Sequence, residues 1–222
     1  MEENCMRIFL IRHGESVANT GANKELGLAD HRVVLTENGQ EQAKRSAIAL
    51  KDYLLENNID LSKARAWFSP YDRAKETMEI FNTILNLEKH MDIREDISLT
   101  EQQFGLFDSI PDERWEEMFP NEYRTWNIFK SQKGKFWARL PMGESPFDVA
   151  VRVKSFFGTI KRDYEKHGID TLFIFTHGTT LRTFVMQYLH RTVEWYEEEH
   201  NPGNCWIRLI EDKEDKGYIY RQ

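Results

Sequence analysis

Cysteine is scarce in this 222-residue chain: there are two, Cys5 and Cys205, and nothing at sequence level pairs them. A disulfide-stapled framework is excluded, and a reduced, cytoplasmic protein is expected. Long apolar runs are missing. None approaches the about 20 residues that span a bilayer, and the opening Met1-Glu2-Glu3-Asn4-Cys5 has neither the charge nor the apolar stretch of a signal peptide. Positive charge is in deficit, with 30 Lys and Arg against 37 Asp and Glu and a net charge of -7. Bulk attraction to nucleic acid or an anionic membrane is therefore not expected, although a local basic pocket stays open. There is no Gly/Ser/Pro-rich linker, repeat array or low-complexity stretch, so one domain over residues 1–222 is expected. His31, His90, His167, His190 and His200 show no zinc spacing, and no Walker-type glycine loop is present. Neither a metal nor a nucleotide cofactor is indicated.

What is present is a set of apolar runs ending in chemistry. Met6 to Ile11 reads as a buried strand and delivers Arg12-His13-Gly14-Glu15 at its end. Leu172 to Phe175 reads as a second and leads into Thr176-His177-Gly178. Ala64 to Phe68 is a third, running into Ser69-Pro70, which reads as a helix start with Ser69 as N-cap and Pro70 at the first helical position. Residues 14–34 read as a short helix plus loop. Thr36 looks like an N-cap for a helix to about Leu55, with Ala43, Ala47, Leu50 and Leu54 on its apolar face. Another helix is expected over 145–165, with Phe147, Val151, Phe156 and Ile160 among its apolar positions, and another over 178–190. Cys205 to Ile210 reads as a last strand that pairs with Tyr218 to Tyr220. This alternation predicts an α/β fold, a mostly parallel sheet with helices on both faces. In such sheets ligands sit at the carboxyl ends of strands, where His13, Ser69 and His177 all fall.

Arg12 and Arg73 could grip the oxygens of one phosphoryl group, and the histidine between them is a capable nucleophile when unprotonated. Phosphoryl transfer depends mostly on positioning and charge neutralisation, which such a set supplies.

The motifs RHGES (12–16), LTENGQEQA (35–43), SPYDRAKET (69–77), GES (143–145) and THG (176–178), in that order, resemble the histidine phosphatase superfamily. The resemblance runs from Arg7 to about Ile210. LTEQQFGLF (99–107), RLPMGES (139–145) and the stretch from THGTTLR to NPGNC (176–205) look closest to a subgroup of phosphoglycerate-mutase-like proteins that includes broad-range acid phosphatases. The resemblance implies the three-layer phosphoglycerate mutase-like sandwich. It also implies that His13 carries a phosphohistidine and that Arg12, Arg73 and His177 bind the phosphoryl oxygens, with His177 counted in the catalytic set. Glu101 aligns with the general acid and base. Asn19 and Ser69 are candidates for polar contacts to the phosphate, and Arg32 and Arg139 for reaching the rest of the substrate. Glu15 and Glu144 read as organisers of loops through backbone hydrogen bonds, and Thr36 and Gly39 as residues that shape a helix entrance.

The expected activity is a metal-independent phosphomonoester hydrolase acting on a small molecule or a phosphoprotein. The alternatives are a cofactor-dependent phosphoglycerate mutase, which alone would need 2,3-bisphosphoglycerate, and a binding module for phosphate esters or phosphoproteins without turnover. Ala18 stands where the mutases typically have tryptophan, and Thr179-Thr180 where they have Asn-Ser, which argues for the hydrolase. The aromatic-rich region 101–140 can be core, lid or partner surface; a cap or insertion flanking the active site is favoured.

Overall fold

A computed structural model describes residues 6–20, 28–108 and 110–222. Cys5 and the middle of the 14–34 loop lie outside the described residues. The sheet has six strands in the order β3-β2-β4-β1-β5-β6. They are β1 (Arg7–Arg12), β2 (Ala64–Phe68), β3 (Asp92–Glu95), β4 (Thr171–Thr176), β5 (Ile207–Glu211) and β6 (Glu214–Tyr220). The first four run parallel, while β5 pairs antiparallel with β1 and β6 antiparallel with β5. The fold is the mostly parallel α/β sheet that the alternation of runs predicts.

Period-two alternation in the strands builds two cores. Phe9 and Ile11 of β1, with Phe173 and Phe175 of β4, face helices α1 (Glu37–Glu56) and α2 (Asp72–Leu85). Ile8 and Leu10, with Leu172 and Ile174, face α5 (Pro146–His167) and α6 (Gly178–Tyr188), which follow α3 (Trp115–Met118) and α4 (Pro120–Lys133) in the chain. All six residues of β4 are buried, as suits a central strand covered on both faces. A short helix, α7 (Val193–Glu198), precedes the antiparallel pair. Among the described residues no helix is long and apolar enough to cross a membrane.

Three local readings are corrected. Helix α2 begins at Asp72 with Tyr71 in the N-cap position, not at Ser69-Pro70; the Ser69 hydroxyl accepts from Tyr71 N–H at 3.4 Å, one turn short of the helix, and is engaged with His177 at 2.8 Å. Phe147 and Val151 of α5 are exposed, and the helix packs through Val149, Val153, Phe156 and Ile160 instead. Edge strand β3 carries Asp92, Arg94 and Glu95 around one apolar residue, so it lacks a strand's sequence pattern although such charge is usual at an edge.

The 101–140 region forms its own aromatic core. Phe107 stacks on Trp115 at 4.5 Å between centroids, and Trp126 meets Trp115 edge-on at 5.4 Å. Phe129 and Trp137 are exposed, whereas Phe136 is buried against Tyr196 of α7.

Candidate active site

Strand register brings the candidate side chains together. Arg12 pairs with Thr176 and Phe68 with Phe175, so the residues that follow, His13, His177 and Ser69, emerge side by side at one sheet edge. His13 N–H then donates to the Thr176 carbonyl at 3.0 Å, and Ser69 N–H to that of Phe175 at 3.0 Å.

The loop after His13 rests against the start of α1. A Cβ on Gly14 would lie 2.5 Å from the Gly39 carbonyl oxygen, and one on Gly39 1.9 Å from that of Glu15, so both positions require glycine. Thr36 caps α1 by accepting from Gly39 N–H at 2.9 Å and donates to Glu15 Oε1 at 2.7 Å. The RHGES and LTENG motifs thus meet as one latch that fixes the histidine loop.

His13 is 3 % exposed, and its Nδ1 lies 2.7 Å from the Gly14 carbonyl oxygen. A carbonyl only accepts, so Nδ1 carries the hydrogen and Nε2 keeps its lone pair. His177 is fully buried, with its ring 5.1 Å from that of His13, Nε2 on Ser69 Oγ and Nδ1 without a partner. Burial first, then the positive charge of Arg73, holds both imidazoles well below the ordinary histidine pKa; Arg12 acts the same way on each. Both rings are therefore neutral near pH 7.

Arg12 donates through Nη1 to the Pro202 carbonyl, and its buried Nε has no partner. Arg73, in the first turn of α2, is 4 % exposed and lies 4.9 Å from the Tyr71 ring centroid. Its fork is occupied: Nη1 donates to Asp30 Oδ1 at 3.0 Å and to the Asp30 carbonyl at 2.7 Å, and Nη2 to Oδ2 at 3.2 Å. A carboxylate on a guanidinium fork presents two oxygens much as a phosphoryl group would. The sequence reading missed Asp30. Its only signal was an acid two residues before Arg32.

Glu101 sits across the cavity. Its Oε2 accepts from Thr179 N–H at 3.3 Å, in the first turn of α6, where a negative charge is favoured. Arg152 fixes the Glu101 loop by donating to the Ser98 and Glu101 carbonyls at 2.7 and 3.0 Å and to Glu144 Oε1 at 3.0 Å. Glu144 is thereby an organiser, and Arg152 is a positioning residue that the sequence did not single out.

Arg12, His13, Asn19, Arg73 and Glu101 line one cavity of about 660 Å³, walled by Phe107, Ile110, Pro111 and Trp115. Asn19 Oδ1 accepts from Ser16 N–H at 3.0 Å and from Asn204 at 3.3 Å. Ser69 is fully buried and engages His177 rather than the cavity. Arg32 is exposed, 3.8 Å from Asp72. Arg139 is exposed and forks Asp148, the residue that completes the capping box at the start of α5. Neither arginine lines the cavity.

The family model described as histidine phosphatase superfamily (branch 1) matches residues 8–221. Phosphoglycerate mutase-like protein AT74 of Arabidopsis thaliana is 31% identical over 214 residues, which are 92% of this chain and 64% of that protein. The chain therefore spans a little under two thirds of that relative. Broad-range acid phosphatase DET1 of Saccharomyces cerevisiae is 25% identical over 305 aligned positions, covering 96% of this chain and 88% of that one. The alpha-ribazole phosphatase of Shigella flexneri shares the fold, with a TM-score of 0.72 at 20% identity over 98% of this chain and 96% of that chain.

Proposed function

The chain belongs to the histidine phosphatase superfamily, branch 1, and on that premise we propose that it is a metal-independent phosphomonoester hydrolase working through a phosphohistidine on His13. The observation that carries the reading is the His13 tautomer. With Nδ1–H donated to the Gly14 carbonyl, the Nε2 lone pair is free, and it lies among Arg12, Arg73 and His177.

In the first step, His13 Nε2 bonds to phosphorus in line as the bond to the ester oxygen breaks. Glu101 gives its proton to the departing alkoxide. In the second, the Glu101 carboxylate takes a proton from water, whose oxygen attacks phosphorus while the N–P bond breaks and inorganic phosphate leaves. The guanidinium groups of Arg12 and Arg73 neutralise charge on the phosphoryl oxygens where it accumulates, and the neutral His177 ring donates an N–H to them. Arg73 exchanges Asp30 for substrate on binding. Ser69 orients His177, and Arg152 orients Glu101. The 101–140 region acts as a cap over the cavity, and the substrate is a small phosphomonoester or a phosphoprotein handled in the cytoplasm.

Phosphorus NMR tests this. The protein is given p-nitrophenyl phosphate with chelator present and, separately, 3-phosphoglycerate with a catalytic amount of 2,3-bisphosphoglycerate. Inorganic phosphate from the first, without 2-phosphoglycerate from the second, is expected. Rapid appearance of 2-phosphoglycerate would make it a mutase, and silence in both would leave a binding module.

A further inference from the structure

His177 stands at the junction of β4 and α6, in the N-cap position of that helix, and is fully buried. Two rings hold it, His13 at 5.1 Å and Tyr71 edge-on at 5.2 Å between centroids. Its Nε2 lies 2.8 Å from Ser69 Oγ, while Nδ1 is buried without a partner. A neutral imidazole carries a donor on one nitrogen and an acceptor on the other, and its neighbours decide which is which.

Here the neighbour that decides is a hydroxyl. Ser69 is fully buried, and a buried O–H that finds no acceptor is costly. Its Oγ accepts from Tyr71 N–H at 3.4 Å, which engages a lone pair and not the hydroxyl hydrogen. Among the described residues the other polar atom that the hydroxyl meets is His177 Nε2. The O–H therefore donates to Nε2, and the hydrogen of the neutral ring goes to Nδ1. With Nε2–H donating to Oγ instead, both the hydroxyl hydrogen and the Nδ1 lone pair would be buried unpaired, rather than one group.

The group left unpaired is thus an N–H, and its surroundings are those of an anion site. Burial first, then the positive charge of Arg73, with Arg12 acting the same way, keeps the ring from taking a second proton. A lone donor near two guanidinium groups is matched by an oxygen bearing negative charge, as a phosphoryl group on His13 would supply. The two histidines then share one tautomer by different means. His13 spends its Nδ1–H on the Gly14 carbonyl, which can only accept. His177 keeps its Nδ1–H for the substrate, and that choice depends on the hydroxyl of a single side chain.

We propose that Ser69 is a positioning residue that fixes the Nδ1–H tautomer of His177, so that the second histidine meets the phosphoryl group as a hydrogen-bond donor. Without the hydroxyl, the ring hydrogen moves to Nε2 and a lone pair on Nδ1 faces the phosphoryl oxygens. The proposal rests on the hydrolase reading for its use, but the tautomer is read without turnover.

Nitrogen NMR of protein labelled at its histidine rings distinguishes a protonated ring nitrogen from a bare one, and the His177 signals are those lost in His177→Gln. The native protein should show His177 with Nδ1 protonated and Nε2 bare, and Ser69→Ala should move the hydrogen to Nε2 in part or in whole. The hydrogen on Nε2 in the native protein, or a ring unchanged in Ser69→Ala, would overturn the proposal. A purely structural Ser69 would alter stability and leave the tautomer where it was. Inorganic phosphate, followed by calorimetry, should bind Ser69→Ala about tenfold more weakly, the worth of about one hydrogen bond to a charged group. For p-nitrophenyl phosphate kcat/KM should fall by about 10²-fold, as for loss of one oxyanion donor. Ser69→Thr keeps the hydroxyl and should recover most of both. Equal phosphate affinity in Ser69→Ala would overturn the proposal. If the native protein releases no phosphate from an ester, the hydrolase reading fails, and the tautomer and the phosphate affinity still decide the role of Ser69.

Discussion

Two clusters of positive charge lie side by side under this fold and are built in opposite ways. The inner one sets Arg12 and Arg73 around the neutral rings of His13 and His177, drawn from two strand ends, those of β1 and β4, and from the helix after β2, and strand register places them. Its guanidinium fork on Arg73 already holds a carboxylate, Asp30. The outer cluster takes Arg182 from the face of a single helix and Lys130 and Lys135 from the 101–140 region, and its cations rest on rings and carbonyls. A sheet edge fixes side chains more tightly than a surface assembled from separate helices, which suits the inner cluster to chemistry that needs sub-ångström placement.

If the inner cluster performs the chemistry, Arg73→Ala should lower kcat/KM by about 10²–10³, the loss typical of one transition-state charge stabiliser. A loss under tenfold would take Arg73 out of the phosphate pocket and erase the distinction between the clusters.

A smaller and more selective effect is expected at the cavity wall. Glu101→Gln should slow alkyl phosphates, which need a proton on the departing oxygen, by about 10²-fold more than p-nitrophenyl phosphate, in line with the usual worth of general acid catalysis. Steady-state rates on both esters read it directly, and equal losses would move the acid elsewhere, with Asp108 the next residue to exchange.

The pH behaviour sharpens the contrast further. His13 and His177 have folded-state pKa values well below their unfolded values, because burial and Arg73 oppose their protonation. Below about pH 6.5 the unfolded chain binds more protons than the folded one, so the stability these residues contribute is full above that pH and is lost as pH falls towards the folded values. Urea midpoints should therefore drop between pH 7 and pH 5, and drop less in His13→Ala. The nucleophile itself should stay unprotonated at pH 6, so phosphoenzyme formation should lose no more than about twofold between pH 7 and pH 6 on this account. A steep loss across that interval would mean His13 titrates normally.

The smallest effect is expected at Asp30. Asp30→Asn removes the carboxylate that competes for the Arg73 fork, so KM for butyl phosphate should fall about threefold to tenfold, the scale of one partly buried charge contact. An unchanged or raised KM would mean that Asp30 helps to hold substrate rather than yielding to it.

The inner cluster was legible in the sequence because each of its members follows an apolar run or a helix start, and short motifs mark those places. The sheet was legible for the same reason, apart from β3, whose four residues are mostly charged. Side-chain partnerships were not legible. Ser69 has the form of a helix cap, yet its hydroxyl is engaged by a histidine 108 residues away in the chain. Arg139 precedes a family motif, yet it closes on Asp148 nine residues later. Asp30 and the outer cations have no motif at all. Lys130 and Lys135 look like ordinary surface lysines until α4 and the turn after it set them opposite Arg182.

The most direct test of the central claim is to trap the intermediate. Protein turning over p-nitrophenyl phosphate is quenched in alkali, where phosphohistidine survives, and its peptides are mapped by mass. The account predicts a single phosphoryl adduct on the peptide holding His13, lost on acid treatment and absent from His13→Ala, which should release no phosphate. Full turnover by His13→Ala, or an adduct on another residue, would contradict it.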